Sequence, residues 1–191
     1  MTNTSNTAQQ DLVANEASTA HIVRLRDGRT VALRVASSKD VSAAQQFVRG
    51  LSNRSRRNRF FSPLRELSPD QLDRLTRSRP PGALARVGET AERAGSRIVA
   101  MAQYAACEPR GAECAVVVDD AWQRQGLGIQ LLRVLAAHAT RAGLGAFTGY
   151  VLADNWPMLA LLARLDCEIA TDPDPYTIRF AKRLDAYGFA V

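Results

Sequence analysis

A chain of 191 residues with 46% hydrophobic and 23% charged side chains has the size and apolar content of one globular domain with its own core, and no second domain is required. Its formal charge of +6 comes almost wholly from arginine, because lysine occurs only at Lys39 and Lys182; such a surplus suits an anionic ligand and is weak ground for nucleic-acid binding. There is no apolar run of about 18 residues and no basic-then-apolar opening segment, so neither a membrane span nor a secretory leader is expected, and the expected location is cytoplasmic.

Residues 1–20 are Thr, Asn, Ser, Gln and Ala with few large apolar groups and read as a mobile tail before a domain over 21–191. His21 to Arg26 and Thr30 to Val35 alternate around Asp27-Gly28, a hairpin signal. Ser37 or Ser38 then caps a helix whose apolar positions Val41, Ala44, Phe47 and Val48 recur at helical spacing as far as Gly50. From Leu51 to Pro63 the chain carries Arg54, Arg56, Arg57 and Arg59 beside Phe60 and Phe61. By residue type alone this is either a basic-aromatic nucleic-acid surface or, preferred on base rates, an amphipathic helix with its phenylalanines in the core and its arginines in water. Ser68-Pro69 opens another short helix to about Arg77, and Pro80-Pro81-Gly82 ends it. Strands follow at Ala83 to Val87 and Ser96 to Ala105, joined by a polar linker from Gly88 to Gly95.

The chain is organised around Glu113 to Gly128, where the apolar strand Ala115 to Val118 passes through Asp119-Asp120 into a Gly-x-Gly, Gly126 and Gly128, that opens a helix. Without a Cβ at those positions, backbone N–H groups at the helix N-terminus are free to approach a pyrophosphate, and the helix dipole adds to the attraction. Gln123 and Arg124 add a side-chain donor and a charge. Leu131, Leu132, Leu135 and Ala139 give the helix one apolar stripe for packing on a sheet. On these residues alone the loop either holds a phosphate chain or is a glycine turn without a ligand. A Rossmann site is excluded, since the third glycine and the later acidic residue are absent. Likewise Glu113 alone reads either as a solvated carboxylate at a strand end or as a base, with partial desolvation beside Ala112 and Ala115 raising its proton affinity.

Beyond Ala142-Gly-Leu-Gly145 come a strand at Phe147 to Leu152 and a helix opened by Asn155 and carrying Met158, Leu159, Leu161, Leu162 and Leu165. Strands at Glu168 to Thr171 and Tyr176 to Phe180 close the domain. Cys107, Cys114 and Cys167 are odd in number and lack metal spacing, which favours buried free thiols; His21 and His138 form no pattern with a partner, and no metal site is expected.

Gln123-Arg-Gln-Gly-Leu-Gly128 fits the signature Gln/Arg-x-x-Gly-x-Gly/Ala, and with it the chain resembles the GNAT superfamily of acyl-CoA-dependent N-acyltransferases over residues 21–184. Leu51-Ser-x-x-Ser-Arg-x-x-Arg-Phe-Phe-Ser62 and Glu113-Cys-Ala-Val-Val-Val118 are similar to segments of the GNAT domains of bacterial protein lysine acetyltransferases. The resemblance implies an α/β GNAT fold, with a central mixed, mostly antiparallel twisted sheet of six or seven strands and helices on both faces. It implies acetyl-CoA as donor, bound by the backbone of Val116, Val117 and Val118, by the loop Gln123, Arg124, Gln125, Gly126, Leu127 and Gly128, and by Asn155 and Met158. It implies Glu113 as the base that deprotonates a primary amine, with a protein lysine as the favoured acceptor, and a monomer or homodimer. The arginine-phenylalanine segment would flank the acceptor side. Three departures stand out: Leu162 occupies the position where many relatives carry a tyrosine acid, Leu165-Asp166-Cys167 replaces Leu-Gly-Phe, and Arg124-Gln125 reverses the commoner Gly-Arg.

Overall fold

A computed structural model describes residues 20–79, 82–92, 95–107 and 110–184. The segment read as a tail, residues 1–20, lies outside these residues except for Ala20, and so does the Pro80-Pro81 pair read as ending a helix.

Strands β1 (His21–Arg24) and β2 (Thr30–Val35) form the expected hairpin, and Gly28 adopts the positive φ of +86° that its turn requires. Of the two candidate caps, Ser37 is the one used. Its Oγ accepts from the Lys39 N–H, its own N–H donates to Asp40 at 2.7 Å, and a 3-10 turn, Ser38–Asp40, leads into helix α1 (Val41–Gly50). Ser52 caps α2 (Asn53–Phe60), accepting from the Ser55 N–H at 3.1 Å. Ser68 and Gln71 exchange cap hydrogen bonds at the start of α3 (Pro69–Thr76), with Pro69 in the first turn.

Helix α2 differs from the amphipathic reading. Arg56 is buried, at 6% exposure, while Phe61 is 47% exposed. The cause lies in α1, whose last carbonyls have no donors within their own helix. The Arg56 guanidinium reaches back to donate to the carbonyls of Leu51 and Arg49, and to Asn53 Oδ1 at 2.6 Å. A planar fork with several N–H groups suits that task, and the helix dipole favours a cation there.

Strands β3 (Ala83–Glu92) and β4 (Gly95–Cys107) run on through the stretch read as a linker. Thr90 pairs with Arg97, and Arg97 Nε meets Glu92 at 2.7 Å, so Glu89 to Glu92, read as linker, belong to a strand. Then follow β5 (Gly111–Val118), α4 (Leu127–Arg141), β6 (Ala146–Leu152), α5 (Trp156–Arg164), β7 (Glu168–Thr171) and β8 (Thr177–Arg183). The sheet order is β1-β2-β3-β4-β5-β6-β8-β7, antiparallel at every pairing except β5 with β6. It holds eight strands rather than six or seven, because both short edge strands, β1 and β7, pair with their neighbours over their full length.

Two cores lie on opposite faces. Leu131, Leu132, Leu135 and Ala139 of α4, with Leu162 of α5, pack on Leu84, Ala100, Ala102, Tyr104, Cys114 and Phe147. Phe47 and Val48 of α1, with Leu72 and Leu75 of α3, pack on Ala85, Val87, Met101 and Val117. A fully buried Leu or Phe stabilises by about 1.5–3 kcal/mol, so these faces hold the sheet from both sides.

Candidate active site

The site begins where the sheet opens. Strands β5 and β6 pair only at Gly111 with Ala146, Ala112 with Phe147 and Glu113 with Thr148. Past Glu113, β6 stays on β8 as far as Leu152 with Thr177, while β5 continues alone on that side to Val118. Phe180 of β8 occupies the fork. A Cβ on Gly149 would lie 2.7 and 2.8 Å from two atoms of the Phe180 ring and 3.0 Å from the Cys114 carbonyl oxygen, so only glycine lets that ring cross β6.

The fork opens into a cavity of about 920 Å³. Of the residues expected to act, Glu113, Val116, Val117, Val118, Gln123, Arg124, Gly126, Gly128, Asn155 and Met158 line it. Gln125 and Leu127 do not. The Gln125 carbonyl accepts from the Arg26 N–H at 3.3 Å, and Leu127 is a core residue at 1% exposure. The loop and Glu113 sit toward opposite ends of β5, and the five residue steps from Glu113 to Val118 span about 17 Å.

The loop is built by backbone conformation. Arg124 has φ +61° and Gly126 φ +91°, and Gly126 caps α4 without any side-chain hydrogen bond, so the first N–H groups of α4 are not covered by a capping side chain. Arg29 holds the preceding turn from outside, stacking 3.8 Å above the Trp122 ring and donating to the Ala121 carbonyl at 3.0 Å. The Gln123 amide donates inward to the Val118 carbonyl at 3.0 Å and to Ser55 Oγ at 3.1 Å, so its side chain secures the loop. Asn155, 8% exposed, caps α5 by accepting from the Met158 N–H.

Helix α2 forms the other wall. Asp120 accepts from the Ser52 N–H at 3.0 Å, from Ser52 Oγ at 2.7 Å and from Ser55 Oγ at 2.8 Å. Partial burial alone would raise its pKa; these hydrogen bonds outweigh that and hold the carboxyl below the usual range. Arg57 ties the same helix to the start of α5 through Asp154 at 2.8 Å. Arg56 is buried and Arg57 is paired, while Arg54 and Arg59 of the arginine segment line the cavity.

Sequence reasoning missed Arg26, Tyr150, Arg164 and Phe180 as lining residues, since they come from four elements far apart in the chain and carry no shared spacing. Among the described residues, none of the lining arginines Arg26, Arg54, Arg59, Arg124 and Arg164 makes an ion pair. The lining carboxylates are Glu113 and Asp120, so the cavity favours an anionic occupant. Glu113 is exposed, against the partial desolvation expected from its apolar neighbours. Loss of water around Arg59 pulls its guanidinium down to about 10, and the nearby Glu113 carboxylate opposes that shift. Arg59 is still a cation at neutral pH.

The thiols are less uniformly buried than expected. Cys107 is exposed, Cys167 is part-buried and Cys114 is buried. Burial pushes the Cys114 thiol well up and Cys167 up to about 11, so the cavity-lining Cys114 is protonated and a poor nucleophile. Leu162 is 1% exposed in the core and supplies no acid to the cavity. His138 is remote from it, with Nδ1 2.8 Å from the buried Tyr104 hydroxyl. Among the described residues no group of three His, Cys, Asp or Glu is arranged to hold a metal ion, and no helix is long and apolar enough to cross a membrane.

A strand that splays from its parallel neighbour, a glycine loop without a side-chain cap and a carboxylate toward the other end of the strand thus face one cavity. The chain is similar to several known proteins. A Pseudomonas aeruginosa protein named as an acetyltransferase is 32% identical over 178 residues, 93% of this chain and 96% of that one. The solved GNAT domain of S. lividans PAT is 26% identical, with a TM-score of 0.79 over 86% of this chain and 97% of the other. A cAMP-binding acyltransferase from Mycobacterium smegmatis, 20% identical, shares the fold with a TM-score of 0.61 over 97% of this chain and 54% of its own. The model of the acetyltransferase (GNAT) family matches residues 50–166, from the end of α1 to the end of α5, and the chain belongs to that family.

Proposed function

We propose that this protein is a cytoplasmic acetyl-CoA-dependent N-acetyltransferase that modifies a primary amine, with a protein lysine as its acceptor. The observation that carries this reading is that Glu113 and the glycine loop open into one cavity from the two ends of β5. In this reading the coenzyme pyrophosphate meets the first N–H groups of α4 beside Arg124, and the pantetheine arm follows the exposed edge of Val116 to Val118 toward the fork. Glu113 takes a proton from the acceptor amine. The nitrogen lone pair attacks the thioester carbonyl carbon, the C–S bond breaks, and the sulfur leaves as a thiolate that takes a proton from solvent. The protonated state of Cys114 supports direct transfer over an acyl-cysteine route. The lysine preference rests on the segment Leu51 to Ser62 and on the likeness to the S. lividans domain.

The test is to incubate the protein with acetyl-CoA and, separately, lysine peptides, polyamines and free amino acids, reading mass gain on each acceptor. Acetylated lysine is expected, and Glu113→Gln should cut turnover about 100- to 10,000-fold while acetyl-CoA still binds. Turnover confined to polyamines or amino acids would remove the lysine assignment.

A further inference from the structure

Helix α2 is held by its N-terminus to the end of β5, where Ser52 and Ser55 meet Asp120. From that anchor the helix runs back along the strand, and Arg59 lies about 6 Å further on than Ser55, at 1.5 Å per residue. Arg59 therefore lines the cavity toward Glu113, away from the glycine loop where Arg124 stands. Its guanidinium is part-buried, lies 5.1 Å over the Phe60 ring, and has neither an ion pair nor a hydrogen bond among the described residues. A cation kept from water is costly, the Glu113 carboxylate offsets only part of that cost, and the field of Arg59 acts on whatever enters beside it.

We propose that Arg59 repels the protonated form of the acceptor amine, so that the amine reaches Glu113 already weighted toward its neutral, nucleophilic form. A free lysine amine has a pKa near 10.4, so deprotonation is a large share of the barrier at neutral pH. A unit charge several ångströms away in a partly desolvated cavity shifts such an equilibrium by about one to two pH units. Arg59 keeps its own proton in this step; the ammonium proton shed on entry goes to solvent, and Glu113 takes the proton that the nitrogen gives up as it attacks the thioester. The other charged and titratable groups facing this end of the cavity are Arg54 on α2, Glu113 and Cys114 on β5, Tyr150 on β6 and Arg164 on α5. Arg54 and Arg164 are exposed, and so screened by solvent, while Cys114 is neutral. The burial of Arg59 makes it the cation whose field persists.

This inference rests on the acetyltransferase reading, and the experiment separates the two. The rate at saturating acetyl-CoA and saturating acceptor is measured from pH 6 to 10 on an equimolar mixture of end-blocked lysine peptides, for the wild-type chain, Arg59→Met and Arg59→Lys. That rate reports groups in the enzyme–substrate complex, whereas kcat/KM reports the free species. Arg59→Met keeps an apolar stem against Phe60 and should move the acid limb of the saturated rate up by about one unit, with a roughly tenfold loss near neutral pH that closes at the alkaline end. Arg59→Lys, which keeps the charge, should leave the limb where it is. An equal loss at every pH, or a limb that does not move in Arg59→Met, overturns the proposal. If Arg59→Met does not fold, a limb raised in Arg59→Gln takes its place and an unmoved one there overturns it equally. Wild-type protein that acetylates no peptide removes the lysine assignment and this proposal together, whereas wild-type turnover with an unmoved limb removes this proposal alone.

Discussion

Asp120 and Ser55 are 65 residues apart in the chain and 2.8 Å apart in space, and Gln123 Nε2 meets the same Ser55 hydroxyl at 3.1 Å. One serine thus joins α2, a wall of the cavity, to the loop that leads into α4. Any shift of the loop moves the wall that carries Arg59.

Asp120→Asn weakens that junction. The folded-state pKa of Asp120 lies below its unfolded value, so its charge contributes stability above the unfolded pKa, near 3.9, and that contribution is lost as pH falls through the lower folded value. The carboxylate is exposed, and with that discount the loss at pH 7 should be about 1–2 kcal/mol. Urea unfolding at pH 7 and at pH 3 checks the sign: the gap between wild type and variant should shrink at the lower pH.

Gly149→Ala tests the fork. The new methyl would meet the Phe180 ring at 2.7 Å and the Cys114 carbonyl at 3.0 Å, and the carbonyl belongs to β5 itself. Overpacking of this kind costs about 1–3 kcal/mol. Combining it with Phe180→Leu should recover part of the loss, because the ring is one of the two obstacles. Denaturant midpoints of the two single variants and the double variant give the coupling, and an additive result would mean that β5 has moved instead.

Most of the frame was legible from sequence because it rests on local rules. Alternation around Asp27-Gly28, helical spacing in Leu131 to Ala139 and the cap at Ser68 each have a physical cause within a few residues. The glycine loop was legible for the same reason. What escaped depends on distant partners. Nothing near Arg56 announces that it caps α1, and nothing near Tyr150 or Arg164 says that they meet at one cavity. The stretch Glu89 to Glu92 was misread because strand ends and loops share a polar composition, and only the pairing of Thr90 with Arg97 separates them.

Arg56 and Arg54 are two residues apart and should behave as opposites. Arg56→Met leaves the Leu51 and Arg49 carbonyls without their donor inside a packed junction, at a cost of about 2–4 kcal/mol. Arg54→Ala removes an exposed side chain without an ion pair among the described residues and should stay within about 0.5 kcal/mol. Thermal unfolding of the two variants checks the contrast, and equal effects would contradict the capping role of Arg56.

The glycine loop yields a further contrast. Gly126 sits at φ +91° with open space around its missing Cβ, whereas a Cβ on Gly128 would meet only Leu161 and Val118 at 3.7 and 3.9 Å, ordinary contact distances. Gly126→Val should therefore cost about 1–2 kcal/mol through backbone conformation and also put a branched side chain where the coenzyme pyrophosphate is proposed to lie. Gly128→Ala should fold as well as wild type. The measurement is thermal unfolding of each protein with and without acetyl-CoA, since a ligand at 100 times its dissociation constant stabilises by roughly 2.7 kcal/mol. Wild type should shift upward clearly, and Gly126→Val should start lower and shift little. A full shift in Gly126→Val would place the coenzyme elsewhere, and no shift in wild type at millimolar acetyl-CoA would mean that the loop is a structural turn, so that Glu113 has no thioester to serve.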